Sequence, residues 1–253
     1  MSGHNKWASI KHKKAATDAK KGKVFTKIIR EIIVATKTGG VQIDHNSRLR
    51  KAIDDAKEAN MPQDNIKKAI QRGNGEISGA IYEEIVYEGY GPAGVALIVE
   101  TTTDNKNRTT SDIRKIFSSY KGSLGETGCV GWMFNRKGCI IIDKKSSVDE
   151  ETVMNIALEA GTEDFKSEPE SDTYEIITSP LDLETVKNTL HEKNIAVISA
   201  EITMIPQTQI TLNGEDAKSM LKLMGELEAH EDVKNVYANF DISDKRYGGK
   251  LDE

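Results

Sequence analysis

Cys139-Ile140-Ile141-Ile142-Asp143 opens the stretch whose order decides the fold. These five residues read as a buried strand. Behind them the periodicity predicts a helix over 149–160, strands near 163–168 and 172–178, a helix over 181–193 and a strand over 195–205. Residues 138–205 thus spell β-α-β-β-α-β, the ferredoxin-like order. On the N-terminal side, 128–135 reads as a neighbouring strand joined through Arg136-Lys137-Gly138. Further out, Ile81, Glu83, Ile85 and Tyr87 alternate with their neighbours, Gly89-Tyr90-Gly91-Pro92 supplies a turn, and Val95-Ala96-Leu97-Ile98-Val99 is a continuous apolar strand. Ile113, Ile116, Phe117 and Tyr120 then recur at helical spacing. At the other end come a helix over 214–229, with Ala217, Met220, Leu221, Met224 and Leu227, and a strand over 233–242. These two cannot fold alone and are expected to return and complete the sheet begun at 81–134.

The first 75 residues read differently. Val24, Phe25, Ile28, Ile29, Ile32 and Ile33 form one wide helical face, stopped by Gly39 and Gly40. Asn46 or Ser47 caps a second helix with Leu49, Ile53 and Ala56, and Pro62 starts a third with Ile66, Ala69 and Ile70. The expected class is therefore α+β and multidomain: an N-terminal helical bundle followed by two α/β domains, at least one of them ferredoxin-like. The expected boundaries are 1–77 for the bundle, 78–136 plus 206–242 for a discontinuous α/β domain, and 137–205 for the inserted one.

Charge divides along the same line. Residues 1–75 carry 17 Lys+Arg against 7 Asp+Glu, or +10, and residues 76–253 carry 18 against 33, or −15, giving the chain its net −5. A basic module on an acidic body attracts polyanions, of which nucleic acid is the commonest in cytoplasm. Nine cations fall in the first thirty residues: Lys6, Lys11, Lys13, Lys14, Lys20, Lys21, Lys23, Lys27 and Arg30. Lys20, Lys23, Lys27 and Arg30 step by three and four, which makes one stripe if the helix runs through Gly22 and none if Gly22 breaks it. Trp7 offers a face on which an unpaired base stacks, or a lid on the small helical core; His4 and His12 donate to phosphate or stack. A Lys-rich helix face is otherwise simply a solvated face.

The second polar constellation is Thr101–Thr109. Its backbone N–H groups, its hydroxyls and Arg108 suit a phosphate at a helix start, while Asn105, Asn107 and Thr109 are equally ordinary cap and turn residues. Catalytic patterns are missing. There is no phosphate-binding loop ending in Gly-Lys-Ser/Thr, no dinucleotide fingerprint and no Gly-x-Ser-x-Gly elbow, so no enzyme activity, catalytic residue or cofactor is expected. His4, His12, His45, His191 and His230 show no metal-ligand spacing with each other or with the two cysteines, so no metal is expected either. Cys129 and Cys139 read as small buried residues in a reducing compartment. No apolar run approaches membrane-span length and no apolar leader core is present, so the expectation is a cytoplasmic protein without a membrane partner or an evident small-molecule substrate.

Several motifs occur together in order. Met1-Ser2-Gly3-His4-Asn5-Lys6-Trp7, Ile10-Lys11-His12-Lys13-Lys14, Lys23-Val24-Phe25-Thr26-Lys27, Asn60-Met61-Pro62, Tyr87-Glu88-Gly89-Tyr90-Gly91-Pro92, Thr103–Thr109 and Gly125-Glu126-Thr127-Gly128 with Trp132-Met133-Phe134 make the chain resemble the YebC/PmpR family from residue 1 to about 240. That resemblance implies a helical N-terminal domain with two α/β domains, and a role as a probable transcriptional regulator that binds DNA. The mitochondrial relatives it suggests are translational activators for cytochrome oxidase, and some bacterial ones resemble ribosome-associated factors that relieve stalling on proline-rich nascent chains. It also implies nucleic-acid contact through Lys6, Trp7, Lys11, His12, Lys13 and Lys14, and it implies no catalytic residue. Serine is frequent in the family where this chain has Cys129 and Gly131, which reads as a packing change. Three functions stay open at this level: a DNA-binding regulator, a translation factor on ribosomal RNA, and an acidic adaptor that binds protein through its ferredoxin-like part.

Overall fold

The computed structural model describes residues 18–145, 149–167 and 171–242, with side chains from residue 22 onward. Three helices come first: α1 (Asp18–Gly39), α2 (Ser47–Glu58) and α3 (Gln63–Gly73). α1 passes through Gly22 without a break. Ile32, Ile33 and Ala35 of α1 pack on Leu49, Ala52, Ile53 and Ala56 of α2 and on Ile66 and Ala69 of α3, with Phe25, Ile28 and Ile29 at the margin. Val24, counted with that face by periodicity, is exposed instead, since the buried part of the bundle core begins only at Ile32. Gly40, at φ +78°, ends α1 in the left-handed region that a side chain would strain. Asn46 then does three things at once. Its Oδ1 accepts the Leu49 N–H at 2.9 Å to cap α2, and its Nδ2 donates at 2.8 Å to the carbonyls of Ala35 and of Gly40.

The first sheet holds β1 (Glu83–Tyr90), β2 (Ala96–Thr103), the short β3 (Ser123–Leu124) and β9 (Val233–Ala238), in the order β3-β1-β2-β9 with every pair antiparallel. Its inner face (Tyr87, Leu97, Val99, Val236, Ala238) meets α4 (Lys106–Ser119) and α7 (Gly214–Ala229) through Ile113, Phe117, Met220, Leu223, Met224 and Leu227. The second sheet holds β4 (Phe134–Asp143), β5 (Asp164–Ser167), β6 (Thr173–Thr178) and β7 (Val197–Pro206), in the order β5-β6-β4-β7, again antiparallel throughout. Counted along the chain this is the 4-1-3-2 order of a split β-α-β unit. α5 (Glu150–Glu159) and α6 (Leu183–Glu192) close its core of Ile140, Ile142, Val153, Tyr174, Ile176, Val186 and Leu190. Ala96, Ile98 and Tyr237, on the other face of the first sheet, pack on Val130 and Phe134 and so tie the two sheets together.

Two local readings need correction. The segment 128–133 is not a strand, and of the expected 128–135 only Phe134 and Asn135 belong to one. It is a loop with a 3₁₀ turn at Gly131–Met133, and β4 runs unbroken from Phe134 to Asp143 through Arg136-Lys137-Gly138. Gly138 serves packing rather than turning: a Cβ there would collide with Thr178 Oγ1 and press on Leu183. The segment 233–242 is two strands, not one. Asn239 separates β9 from β10 (Phe240–Ile242), and its Oδ1 accepts the Ala96 N–H at 2.7 Å. β10 then pairs in parallel with β8 (Ile210–Leu212), a strand too short to announce itself by alternation.

Candidate nucleic-acid interface

Because α1 is continuous, the stripe of Lys20, Lys23, Lys27 and Arg30 exists; the backbone of Lys20 and Lys21 lies in the helix, their side chains outside the described residues. What the stripe faces was not expected. Lys23 Nζ donates to Ala229 O at 3.2 Å, Lys27 Nζ to Glu228 O at 2.6 Å and Arg30 Nη1 to Glu231 O at 2.7 Å. The cations of α1 therefore cover the C-terminal end of α7, where unpaired carbonyls and the negative end of the helix dipole favour positive charge.

Arg30 goes further. It is buried, and Nη1 also donates to Asp232 Oδ1 at 2.6 Å, while its guanidinium lies 5.5 Å from the centre of the Tyr82 ring. Asp232 is wholly buried as well. Its Oδ2 accepts from Thr109 Oγ1 at 2.6 Å, from Arg108 Nη2 at 3.0 Å and from Thr103 Oγ1 at 3.3 Å. Burial pushes the Asp232 carboxyl up, but the bonds from Thr109 and Arg108 and the charge of Arg30 outweigh it and hold the group below the usual aspartate range. Arg30, predicted to touch phosphate, is thus a buried joint between the helical bundle and the body, its charge answered by Asp232.

The same carboxylate resolves the Thr101–Thr109 constellation. Asn105 Oδ1 accepts the Arg108 N–H at 3.1 Å as the cap of α4, Thr109 is buried against Thr103, and Arg108 bridges Asp104 and Asp232. The anion held beside this helix start is the chain's own Asp232. Asn107 is exposed on the first turn of α4. Lys6, Trp7, Lys11, His12, Lys13 and Lys14 lie outside the described residues.

A second polar joint reinforces the first. Arg48 of α2 grips Glu31 with Nε and Nη2 at 2.7 and 3.0 Å and Glu84 of β1 at 2.6 and 3.0 Å, and Lys234 of β9 reaches Glu31 at 3.0 Å. Burial raises the Glu31 carboxyl, yet Arg48 and Lys234 bring it below its ordinary value. Among the described residues no cluster of three His, Cys, Asp or Glu is placed to hold a metal, and no helix is long and apolar enough to cross a membrane. A cleft of about 340 Å³ between α1, α3 and the segment 75–82 is lined by Ile33, Lys37, Arg72, Ile77 and Tyr82, with no carboxylate, His or Cys in its wall.

Two family models together span this architecture: "TACO1/YebC protein N-terminal domain" matches residues 5–76, and "TACO1/YebC second and third domain" matches residues 82–240. The chain belongs to the TACO1/YebC family. Its TACO1/YebC relatives include a "Probable transcriptional regulatory protein" of Endomicrobium trichonymphae, 78% identical over 243 residues and covering 96% of both chains. Another of the same name, from Elusimicrobium minutum, is 56% identical over 246 residues and covers 97% of both. Among solved structures, a conserved hypothetical protein of Aquifex aeolicus matches with a TM-score of 0.80 and 45% identity, over 92% of this chain and 95% of that one. The names of these relatives support a regulatory role for a TACO1/YebC protein. The residue that organises the joint, Asp232, gave no signal in the sequence. It stands 202 positions from Arg30 in a short turn, and nothing local marks it as more than another surface acid.

Proposed function

We propose that the chain regulates gene expression by binding nucleic acid through its N-terminal module, with Lys6, Trp7, Lys11, His12, Lys13, Lys14, Lys20 and Lys21 as the contacts, and that it is not an enzyme. The single observation that carries this reading is the partition of charge, +10 in residues 1–75 against −15 in the rest. With Arg30 neutralised by Asp232, and Lys23 and Lys27 bonded to the end of α7, the load falls on the cations before Asp18, where residues 1–17 carry four lysines and no acid. DNA is the partner that the relatives' names favour. In the same reading residues 1–77, 78–136 with 206–242, and 137–205 are the three domains, the third ferredoxin-like, a division supported by an apolar core within each. Changing Lys11, Lys13 and Lys14 together to Ala is expected to weaken binding to duplex DNA. It should also flatten the fall of log affinity with log salt by about 0.7–0.9 per lost contact. An unchanged slope clears these lysines of phosphate contact.

One observation favours ribosomal RNA as the alternative target. The cationic face of α1 is turned onto α7, so that face does not offer a base-reading helix, and a Lys-rich arm with one tryptophan suits backbone phosphates and unpaired bases instead. Co-sedimentation with ribosomes on a sucrose gradient separates the two. Migration with 70S particles that is lost on deleting residues 1–20 selects the translation reading, including relief of stalling on proline-rich nascent chains. Residence in the top fractions, with duplex binding intact, selects the DNA reading.

A further inference from the structure

The acidic body carries one helix that does not share its sign. Residues 106–121 contain five cations, Lys106, Arg108, Arg114, Lys115 and Lys121, and a single acid, Asp112. Arg108 is committed to Asp104 and Asp232, and Asp112 lies 3.4 Å from His230 Nε2. The other four cations are exposed, and among the described residues none of their charged groups has a hydrogen-bond or ion-pair partner. α4 buries Ile113 and Phe117, so Asn107, Ser111, Arg114, Lys115 and Ser118, spaced by threes and fours, share its outward face. The other side chains on this face, Asn107, Ser111 and Ser118, are short, and the hydroxyls of Ser118 and Ser119 fold back onto the carbonyls of Arg114 and Lys115.

Its position matters as much as its charge. Asp112, at the middle of α4, touches His230 at the end of α7; the preceding residue, Ala229, receives Lys23 of α1; and Arg108 and Arg30 share Asp232. α4, through Arg108 and Asp112, and the N-terminal half of α1 therefore adjoin the same end of α7. We propose that Arg114 and Lys115 on this face, with Lys106 and Lys121 exposed at the two ends of α4, form a second contact surface for the sugar-phosphate backbone of the nucleic acid that the N-terminal residues engage, an inference that rests on the nucleic-acid reading above. Unpaired cations complement phosphates, whereas they would repel the basic stretch of a neighbouring copy. A helix of 14 residues, about 21 Å long, runs beside roughly six base-pair steps of a duplex. Contact through α4 also sets the orientation of the body on the nucleic acid, which an arm alone does not, because backbone contacts fix register without reading bases.

The test uses the full chain and two fluorescein-labelled probes, a 30-bp duplex DNA and a 30-nucleotide single-stranded RNA, titrated from 50 to 200 mM KCl. Arg114→Ala/Lys115→Ala/Lys121→Ala removes three exposed cations and no packed atom. For this variant the loss of affinity across that salt range is expected to shrink by about 20- to 40-fold relative to the parent on the probe that binds, following the slope per phosphate contact. The charge-preserving Arg114→Lys/Lys115→Arg variant is expected to keep the parental slope. A parental slope in the triple variant, with Lys11→Ala/Lys13→Ala/Lys14→Ala still flattening it, overturns the role of α4 and leaves the arm standing. A parent that binds neither probe overturns both readings. A triple variant that binds both probes as the parent does but loses an acidic protein partner assigns this face to protein and overturns the proposal.

Discussion

Asp232→Ala is expected to lower folding stability by roughly 3–5 kcal/mol, because it strands a buried guanidinium without its counter-charge. The Arg30 side chain is 8% exposed and that of Asp232 0%. Removing the carboxylate also leaves Thr109 Oγ1, buried beside it, without its shortest partner. The bundle's own apolar core contains neither residue, so the loss is expected as undocking of α1 from the body. Urea unfolding should broaden or split into two transitions, the departure from two-state behaviour typical of loosened domains. Replacing both charges, as in Arg30→Met/Asp232→Leu, should recover much of the loss, since a buried ion pair is often no better than apolar atoms of similar volume. A loss under 1 kcal/mol for the single variant would mean that Arg30 finds water or another acid, and would remove Asp232 from its place at the joint.

The pH dependence has a definite sign. The folded Asp232 pKa lies below its unfolded value of about 3.9, so its contribution is complete above that value and disappears as pH falls through the folded pKa. Parent and variant should therefore differ fully at neutral pH, and their difference should shrink in acid.

Glu88→Ala is expected to cost about 1–3 kcal/mol, through a different failure. Glu88 is a buried carboxylate that accepts three backbone N–H groups: Gly128 at 2.8 Å, Val130 at 2.8 Å and Gly131 at 2.7 Å. The Val130 N–H is the buried one of the three, and a buried donor left unpaired costs roughly 1–3 kcal/mol. Glu88→Gln keeps one acceptor oxygen and turns an NH₂ toward an N–H, so its cost should fall between the parent and Ala. Trp132 reports the event directly. Its indole is 68% exposed and is held by Nε1 donating to Cys129 O at 3.2 Å within the same loop. Acrylamide quenching of Trp132 in a Trp7→Phe background should rise in Glu88→Ala. Unchanged quenching and stability would show that the loop holds its shape through Val130 packing alone. Burial raises the Glu88 carboxyl, yet the three N–H bonds bring it below its ordinary value, so this contribution too is present above about pH 4.3 and lost toward acid.

Glu88 shows why part of the molecule was legible and part was not. As one residue of an alternating strand it reads as solvent-facing; it does point away from the core formed with α4 and α7, yet it is buried. What covers that second face is a loop some forty residues on, and no local pattern announces it. Gly138 failed in the same way. After Arg136-Lys137 a glycine reads as a turn, whereas here it marks the close approach of Thr178 and Leu183 across the sheet. Asn239 could not be known to hold the Ala96 N–H, 143 positions away. The cations of the first thirty residues were visible as a group, and so was their spacing. That three of them meet the end of α7 depends on a contact spanning about two hundred residues.

What the sequence by itself determined is the succession of elements, the contrast between a basic N-terminal module and an acidic body, and the family motifs. These follow from periodicity, composition and local caps, which act over a few residues. Only the tertiary structure decided which charges are already answered within the chain. Arg30 is paired with Asp232 and Arg108 with Asp104 and Asp232, while Lys106, Arg114, Lys115 and Lys121 are left to solvent or a partner. The physical reason is range: an ion pair forms between groups a few ångströms apart in space, and distance along the chain says nothing about which acid will be there.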